Sequence, residues 1–252
     1  MHKKNSRLVL VLACTAAFEA TGFADAAESY PSRPVRWIVP YPPAGTTDIL
    51  ARIIGQWLSP RLGQQVVVDN RPGGSNNIGT ELAIRAAPDG YTLFLVNPAN
   101  AINATLYAKL PFNFLKELEP VAGLMRVPNV MEVPRALPPR TVSEFIAYAK
   151  KNPGKVNMAS SGNGTSVHMS GELFKAMTGV QMQHIPYKGA GPALIELIGG
   201  QVHVLFDNLP SSIGHIKSGE LRALAVTTLK RSAALPDVLT LNETVPGYEA
   251  SA

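Results

Sequence analysis

From residue 33 onward the chain alternates short apolar runs with segments of helical spacing, and the joints between them are rich in Gly, Ser, Thr and Asn. This order constrains the fold more than any other feature. Repeated strand–loop–helix units predict parallel strands wrapped by helices. Their handedness puts the loops at the C-terminal strand edges, where ligands usually bind. Residues 35–40 read as a strand and 41–47 as a turn-rich loop. A helix is predicted from near Asp48, with Ile49, Leu50, Ile53, Ile54, Trp57 and Leu58 on one face and Gly63 as its stop. Thr46 or Thr47 is expected to cap it, and Asp48 suits its positive end.

The pattern then recurs. Strands are predicted at 66–69 and 91–96, with a helix at 78–87 between them. Residues 121–133, poor in helical signals, are read as the crossing to a second lobe. Beyond it come a helix at 141–151, where Thr141 and Glu144 have capping-box spacing, and a strand at 156–159. A helix follows at 166–178, then a strand at 183–186 and a helix opened by Pro192 and closed by Gly199-Gly200. The last elements are a strand at 202–206, a helix at 211–218 and a strand at 221–227.

The first 26 residues have a basic start (Lys3, Lys4, Arg7), an apolar stretch over 8–18 and a small-x-small site at Ala24-Asp25-Ala26. They read as a signal peptide cleaved before Ala27, which directs the protein to the periplasm. Cys14 is the sole cysteine. A lipid anchor there is the less favoured reading, because Leu12 is bulky where such sites want a small residue. Cleavage leaves no cysteine, so disulfides and thiol catalysis are excluded on that reading. The net charge of +5 is scattered, without the clustered basic footprint of a nucleic-acid binder. His184, His203 and His215 lack metal-ligand spacing, so no metal and no cofactor is expected.

Two loops carry the chemistry. In "MASSGNGTSVHMSGELF", residues 158–174, Ser160, Ser161, Gly164, Thr165 and Ser166 lie between a strand and a helix. Glycines let backbone N–H groups approach a ligand, and the helix start adds unpaired N–H groups and partial positive charge, which together seat an anion. The stretch lacks the lysine of a P-loop, the third glycine of a dinucleotide fingerprint and the glycines of a nucleophile elbow. Three readings stay open for it: an anion seat, an ordinary capped turn, and a hydrolase triad assembled from Ser161, His168 and Asp207. The first loop, Ala44-Gly45-Thr46-Thr47-Asp48, has the same design. Neither loop contains Lys or Arg, so a carboxylate across such a cleft is held by amide and hydroxyl donors. Asn97 and Asp207 at strand ends, with Tyr187 and Lys188 in a further loop, are weaker candidates.

"RPVRWIVPYPPAGTTDILARIIGQWL", "VVVDNRPGGSNNIGTELAIRAAPDGYTLFL", the 158–174 stretch and "HIPYKGAGPALIELIGGQVHVLFDNLPS", together with the signal peptide, resemble the Bug family. These are the periplasmic receptors of tripartite tricarboxylate transporters. The resemblance runs from Pro31 to Tyr248. It implies a two-lobed α/β periplasmic-binding-protein fold with a parallel-rich sheet in each lobe. Lobe one is expected at 27–125, lobe two at 126–230, and the start of a return crossover at 231–252. It also implies a non-enzymatic, monomeric receptor for a small carboxylate that serves membrane transporter subunits. The ligand classes are di- and tricarboxylates, acidic amino acids and aromatic acids. Alternatives are an exported serine hydrolase and a solute sensor acting on a signalling partner. Carried onto this chain, the family's site implies Tyr41, Ala44, Thr46, Thr47 and Asp48 in lobe one. In lobe two it implies Ser160, Ser161, Gly164, Thr165, Ser166 and His168, with Asn77, Asn97, Tyr187, Lys188 and Asp207 ranked lower. Three departures stand out. Ala44 replaces a usual glycine, which matters if the turn needs positive φ. "GGSNN" replaces Gly-Ala-Gly-Gly-Asn, which is expected to stiffen that loop. Family members also continue past "VPGYEA" to complete lobe one, so an exposed apolar face is expected there.

Overall fold

A computed structural model describes residues 29–252; the stretch read as a signal peptide, Cys14 included, lies outside the described residues. Residues 33–252 form one unit built on two sheets. The first sheet has the order β2-β1-β3, with β1 at Val35–Val39, β2 at Val66–Asn70 and β3 at Thr92–Phe94, all parallel. Helix α1 (Thr46–Leu62) joins β1 to β2. Helix α2 (Asn77–Ile84), preceded by a single 3-10 turn, joins β2 to β3. Two elements the periodicity did not announce come next: α3 (Pro98–Leu106) and the one-turn α4 (Phe114–Glu117).

The second sheet has five strands in the order β6-β5-β7-β4-β8. These are β4 (Asn129–Pro134), β5 (Val156–Ser160), β6 (Met182–Pro186), β7 (Val204–Asn208) and β8 (Leu221–Val226). Between them lie α5 (Val142–Lys151), α6 (Ser166–Thr178), α7 (Ala190–Ile198) and α8 (Leu209–Ser218). Strands β5, β6 and β7 are parallel, whereas β4 runs antiparallel to both β7 and β8. The parallel-rich sheets expected from the sequence are present, with β4 the one reversed strand of the second. The segment read only as a crossing contains its fourth-in-line strand. Because β4 alone is reversed, the C-terminal ends of β5, β6, β7 and β8 share one edge with the start of β4.

Local chemistry explains the element ends. Thr141 accepts a hydrogen bond from Glu144 N–H, as its spacing predicts, while the Glu144 carboxylate reaches back to Arg140 N–H. Gly63, Gly179 and Gly219 close α1, α6 and α8 in the left-handed conformation that suits a residue without Cβ. The N-cap of α1 is Gly45, not Thr46 or Thr47, and no side chain bonds its first-turn amides. Its buried stripe comprises Leu50, Ala51, Ile54, Leu58 and Leu62; Ile53 and Trp57, predicted on the same face, are exposed instead. The Arg61 guanidinium lies over the Trp57 ring. Val67 and Val96 in the first half are likewise exposed.

The larger core fills the second half. Phe145, Phe174 and Phe206 interlock, with ring centroids 6.2 and 5.5 Å apart for the two neighbouring pairs. Residues 231–252 also join this core, inserting Leu241, Val245 and Tyr248, whose hydroxyl donates to Ser170 O at 2.7 Å. Ala252 exchanges backbone hydrogen bonds with Val127. Phe174 sits between the other two rings with no exposed surface. Phe174→Ala is expected to lower unfolding free energy in denaturant titration by about 3–5 kcal/mol, the usual cost of deleting a buried ring.

Candidate functional site

The first loop is shaped by Asp48. Its carboxylate accepts from Ala44 N–H at 3.0 Å, from two nitrogens of Arg52 at 2.9 Å and from Asn70 Nδ2 at 2.9 Å. Burial works against its ionisation, but the hydrogen bonds from Arg52, Asn70 and Ala44 outweigh it and hold the carboxyl below its ordinary range. Asp48 is 2% exposed and fully engaged, so it acts here as a loop-former. The Asp48 hydrogen bond draws the chain into a tight turn in which Ala44 takes φ 72°, a region that L-residues enter at a cost. Behind the loop, Asn76 Nδ2 donates to the Tyr41 hydroxyl at 2.8 Å and to Asn97 Oδ1 at 3.0 Å. Burial pushes the Tyr41 phenol up to about 12. Asn97 caps α3, trading hydrogen bonds with Asn100. Asn77 Oδ1 accepts from Asn103 Nδ2.

The second loop is held by two stacked imidazoles, His168 and His184, whose centroids are 3.9 Å apart. His168 Nδ1 accepts from Gly164 N–H at 3.2 Å, while the Thr165 hydroxyl accepts from His168 N–H and donates to Gly162 O. Ser160 Oγ accepts from Gly162 N–H and lies 2.6 Å from His184 Nε2, with which it shares a hydrogen bond. Ser160 and Thr165 are therefore buried struts, exposed 0% and 1%. Ser161 is at the border of burial, and Ser166 Oγ receives Asn208 Nδ2 at 3.3 Å. Burial and then the charge of its stacked neighbour depress His184 to about 4; burial also lowers His168. Sequence reasoning missed His184 as a partner, since its contact with Ser160 depends on strand pairing between β5 and β6.

Both predicted loops turn toward the opposite half. A Cβ added to Gly164 would stand 2.7 Å from Asn103 Oδ1 and 2.8 Å from Leu106 Cδ2 of α3. A Cβ added to Gly45 would stand 3.8 Å from Ala190 Cβ at the start of α7, and Gly189 packs on Pro42. Thr46 Oγ1 donates to Ser211 Oγ at 3.1 Å, and Ser211 in turn donates to the buried Asp207. The nearest neighbours of each loop are thus the opposite half's helix ends and not the other loop. Tyr187 N–H bonds Ser160 O, its ring packing against the α7 cluster, and Lys188 is exposed. Asn129, unnoticed in the sequence, joins this edge: its side chain donates to Ser170 Oγ and Phe206 O and accepts from Asn208.

Two α/β halves meeting at their polar loops, with uncapped and Gly-rich helix starts at the junction, define a bilobal solute-binding protein. Residues 50–252 match the family model described as the tripartite tricarboxylate transporter family receptor. The chain belongs to that family. It is 39% identical over 240 residues to the protein BugT of Bordetella pertussis, covering 94% of this chain and 74% of that one. Among solved structures, R. palustris Rpa4515 with adipate superposes with a TM-score of 0.86 at 42% identity, covering 88% of this chain and 75% of that one. MatC of Rhodopseudomonas palustris with bound malate superposes at 0.83 and 30% identity, covering 88% and 76%. The receptors of this family are periplasmic, and no helix among the described residues is long and apolar enough to cross a membrane.

Ala44→Gly is expected to raise stability by up to about 1 kcal/mol in denaturant titration, because relief of left-handed strain exceeds the entropy glycine adds to the unfolded chain. An unchanged midpoint contradicts strain at Ala44. A second expectation concerns pH. His184 is depressed from 6.5 to about 4, so between those values the unfolded chain binds the extra proton. The stability contributed is fully present above about pH 6.5 and lost as pH falls toward 4. Thermal unfolding of His184→Gln across this range is expected to show a flatter acid limb than the parent; equal slopes contradict the role assigned to His184.

Proposed function

We propose that the chain is a periplasmic receptor that binds a small organic carboxylate between lobes spanning 27–125 and 126–230 and delivers it to the membrane subunits of a tripartite transporter. One observation carries the reading. Two strand-to-helix loops without Lys or Arg, around Gly45 and around Ser161–Ser166, both turn into the junction between the halves. A carboxylate there is met by helix-start amides and hydroxyls. The α1 start suits this best, since no side chain caps it. Relatives solved with adipate and with malate support the ligand class. Thr47, Ser161 and Ser166 are the proposed hydroxyl donors. Ala44, Gly164 and Asp48 shape the backbone, and Thr46, Ser160, Thr165 and His168 act as struts. Asn77, Asn97, Tyr41, Tyr187 and Asp207 form the surrounding wall.

The geometry favours binding over hydrolysis. Ser161, His168 and Asp207 do not form a hydrogen-bonded chain, because His168 Nδ1 is taken by Gly164 and Asp207 by Ser211 and Ser212. The serine beside an imidazole is Ser160, which has no exposed surface. Calorimetric titration with a panel containing malate and adipate is expected to give saturable binding without turnover. Ser161→Ala and Thr47→Ala are each expected to weaken binding of the active acid by about 1–3 kcal/mol, the range for losing a hydrogen bond to a charged group. Unchanged affinity in both variants would overturn this site.

A further inference from the structure

Glu132 lies in the middle of β4 with no exposed surface, and Asp207 at the end of β7 is 1% exposed. A single hydroxyl bridges them: Ser212 Oγ is 2.7 Å from Glu132 Oε1 and 3.0 Å from Asp207 Oδ2. Serine carries one hydroxyl hydrogen, so it satisfies one of these contacts and the other needs a hydrogen from a carboxyl. No Lys or Arg among the described residues forms an ion pair with either group. Two bare charges at this depth would be prohibitive, whereas one is tolerable if well hydrogen-bonded.

The donors decide which group keeps its charge. Asp207 Oδ2 receives Ser211 Oγ at 2.5 Å and Ser212 Oγ at 3.0 Å. Glu132 has only the Ser212 contact, against two hydroxyls on Asp207 Oδ2; the second oxygen of each carboxyl, Glu132 Oε2 and Asp207 Oδ1, has no partner. The groups acting on the pair are Glu132 from β4, His215 from α8 and Tyr41 from the β1–α1 loop. Burial, and then the neighbouring Asp207, raise Glu132 well above its ordinary range, while Asp207 reaches about 6 and is charged at neutral pH. The hydrogens then run in one direction on each side: Glu132 to Ser212 to Asp207, and Thr46 to Ser211 to Asp207.

We propose that Glu132 is a neutral, proton-donating positioning residue, which fixes Asp207 as the acceptor that holds Ser211 and, through it, Thr46 at the start of α1. The chain of contacts crosses from the second sheet to the first helix of the first. It ties the uncapped amide end of α1 to α8 and commits the Thr46 hydroxyl hydrogen to Ser211, leaving Thr47 as the hydroxyl donor of that loop. Its effect on ligand affinity rests on the proposed carboxylate reading; the proton and the coupling do not.

Three measurements on the full chain test it. Infrared spectra at neutral pH are expected to show the carbonyl stretch of a protonated carboxylic acid, lost in Glu132→Gln. Absence of that band in the parent, or its survival in the variant, overturns the proposal. Thermal unfolding of Thr46→Val, Glu132→Leu and the double variant is expected to show a less-than-additive shift, and additivity overturns the relay. If Glu132→Leu does not fold, Ser212→Ala cuts the same chain and takes its place in the cycle. With malate and adipate as probes, Ser212→Ala is expected to bind about tenfold more weakly, the equivalent of one such hydrogen bond. Glu132→Gln, which keeps a donor toward Ser212, is expected to bind within about twofold of the parent. Equal affinity of parent and Ser212→Ala overturns the positioning role. Failure of both probes to bind the parent counts against the carboxylate reading, while the infrared and coupling results still decide the relay.

Discussion

Asn129 holds together the sheet edge on which the site is built. Its backbone N–H donates to Thr227 Oγ1, and its carbonyl accepts from both the amide and the hydroxyl of Thr227. Its side-chain amide donates to Ser170 on α6 and Phe206 on β7 and accepts from Asn208. Asn129, Ser170, Phe206 and Thr227 are buried, so their polar groups would be costly if left unpaired. One asparagine thus fixes the reversed strand β4 between β7 and β8 and docks α6 onto their ends. The helix whose first turn follows the second loop is placed by this network before any ligand contact is considered.

The first half solves the same problem with other asparagines. Asn76, Asn97, Asn100 and Asn103 pair with Tyr41, Thr80, Asn77 and the backbone beneath the first loop. An amide side chain both donates and accepts, so it can close a buried polar network without importing charge. Among the buried groups at the junction, charge enters at Asp48, neutralised by Arg52, and at the Glu132–Asp207 pair. The electrostatic consequence is a junction whose loops offer dipoles instead of fixed cations.

Much of this arrangement was legible in the sequence, for identifiable reasons. Helix α6 and its Gly179 stop followed from spacing and capping chemistry, and Ala44 was singled out because it stands where the resembling family usually has glycine, at a position that takes positive φ. Strand β4 was not legible. Its run of Asn129–Pro134 is buried on both faces and interrupted by Glu132, so it lacks both alternation and a clean apolar character. Its antiparallel direction is a tertiary choice that no local pattern encodes. Helix α3 was hidden by its small polar residues, although Asn97, Pro98 and Asn100 form the capping signature of a helix start. His184 and Asn129 act through partners brought near only by strand pairing.

A seat made of amides and hydroxyls has a different energetic character from one built on arginine. An ion pair buried with its ligand gains attraction but must desolvate a second charge, and truncating either member leaves the other stranded. Neutral donors fixed by a network lose little on desolvation and are already oriented when the anion arrives. Affinity then depends on how rigidly the donors are held, which shifts the burden from the ligand-facing groups to their supports. In the proposed site, Ser160, Thr165, His168, His184 and the Asp207 relay in one half, and Asp48 and Asn70 in the other, carry that burden. In a receptor of the proposed design, the chemistry of recognition rests largely on supporting residues that a ligand does not touch.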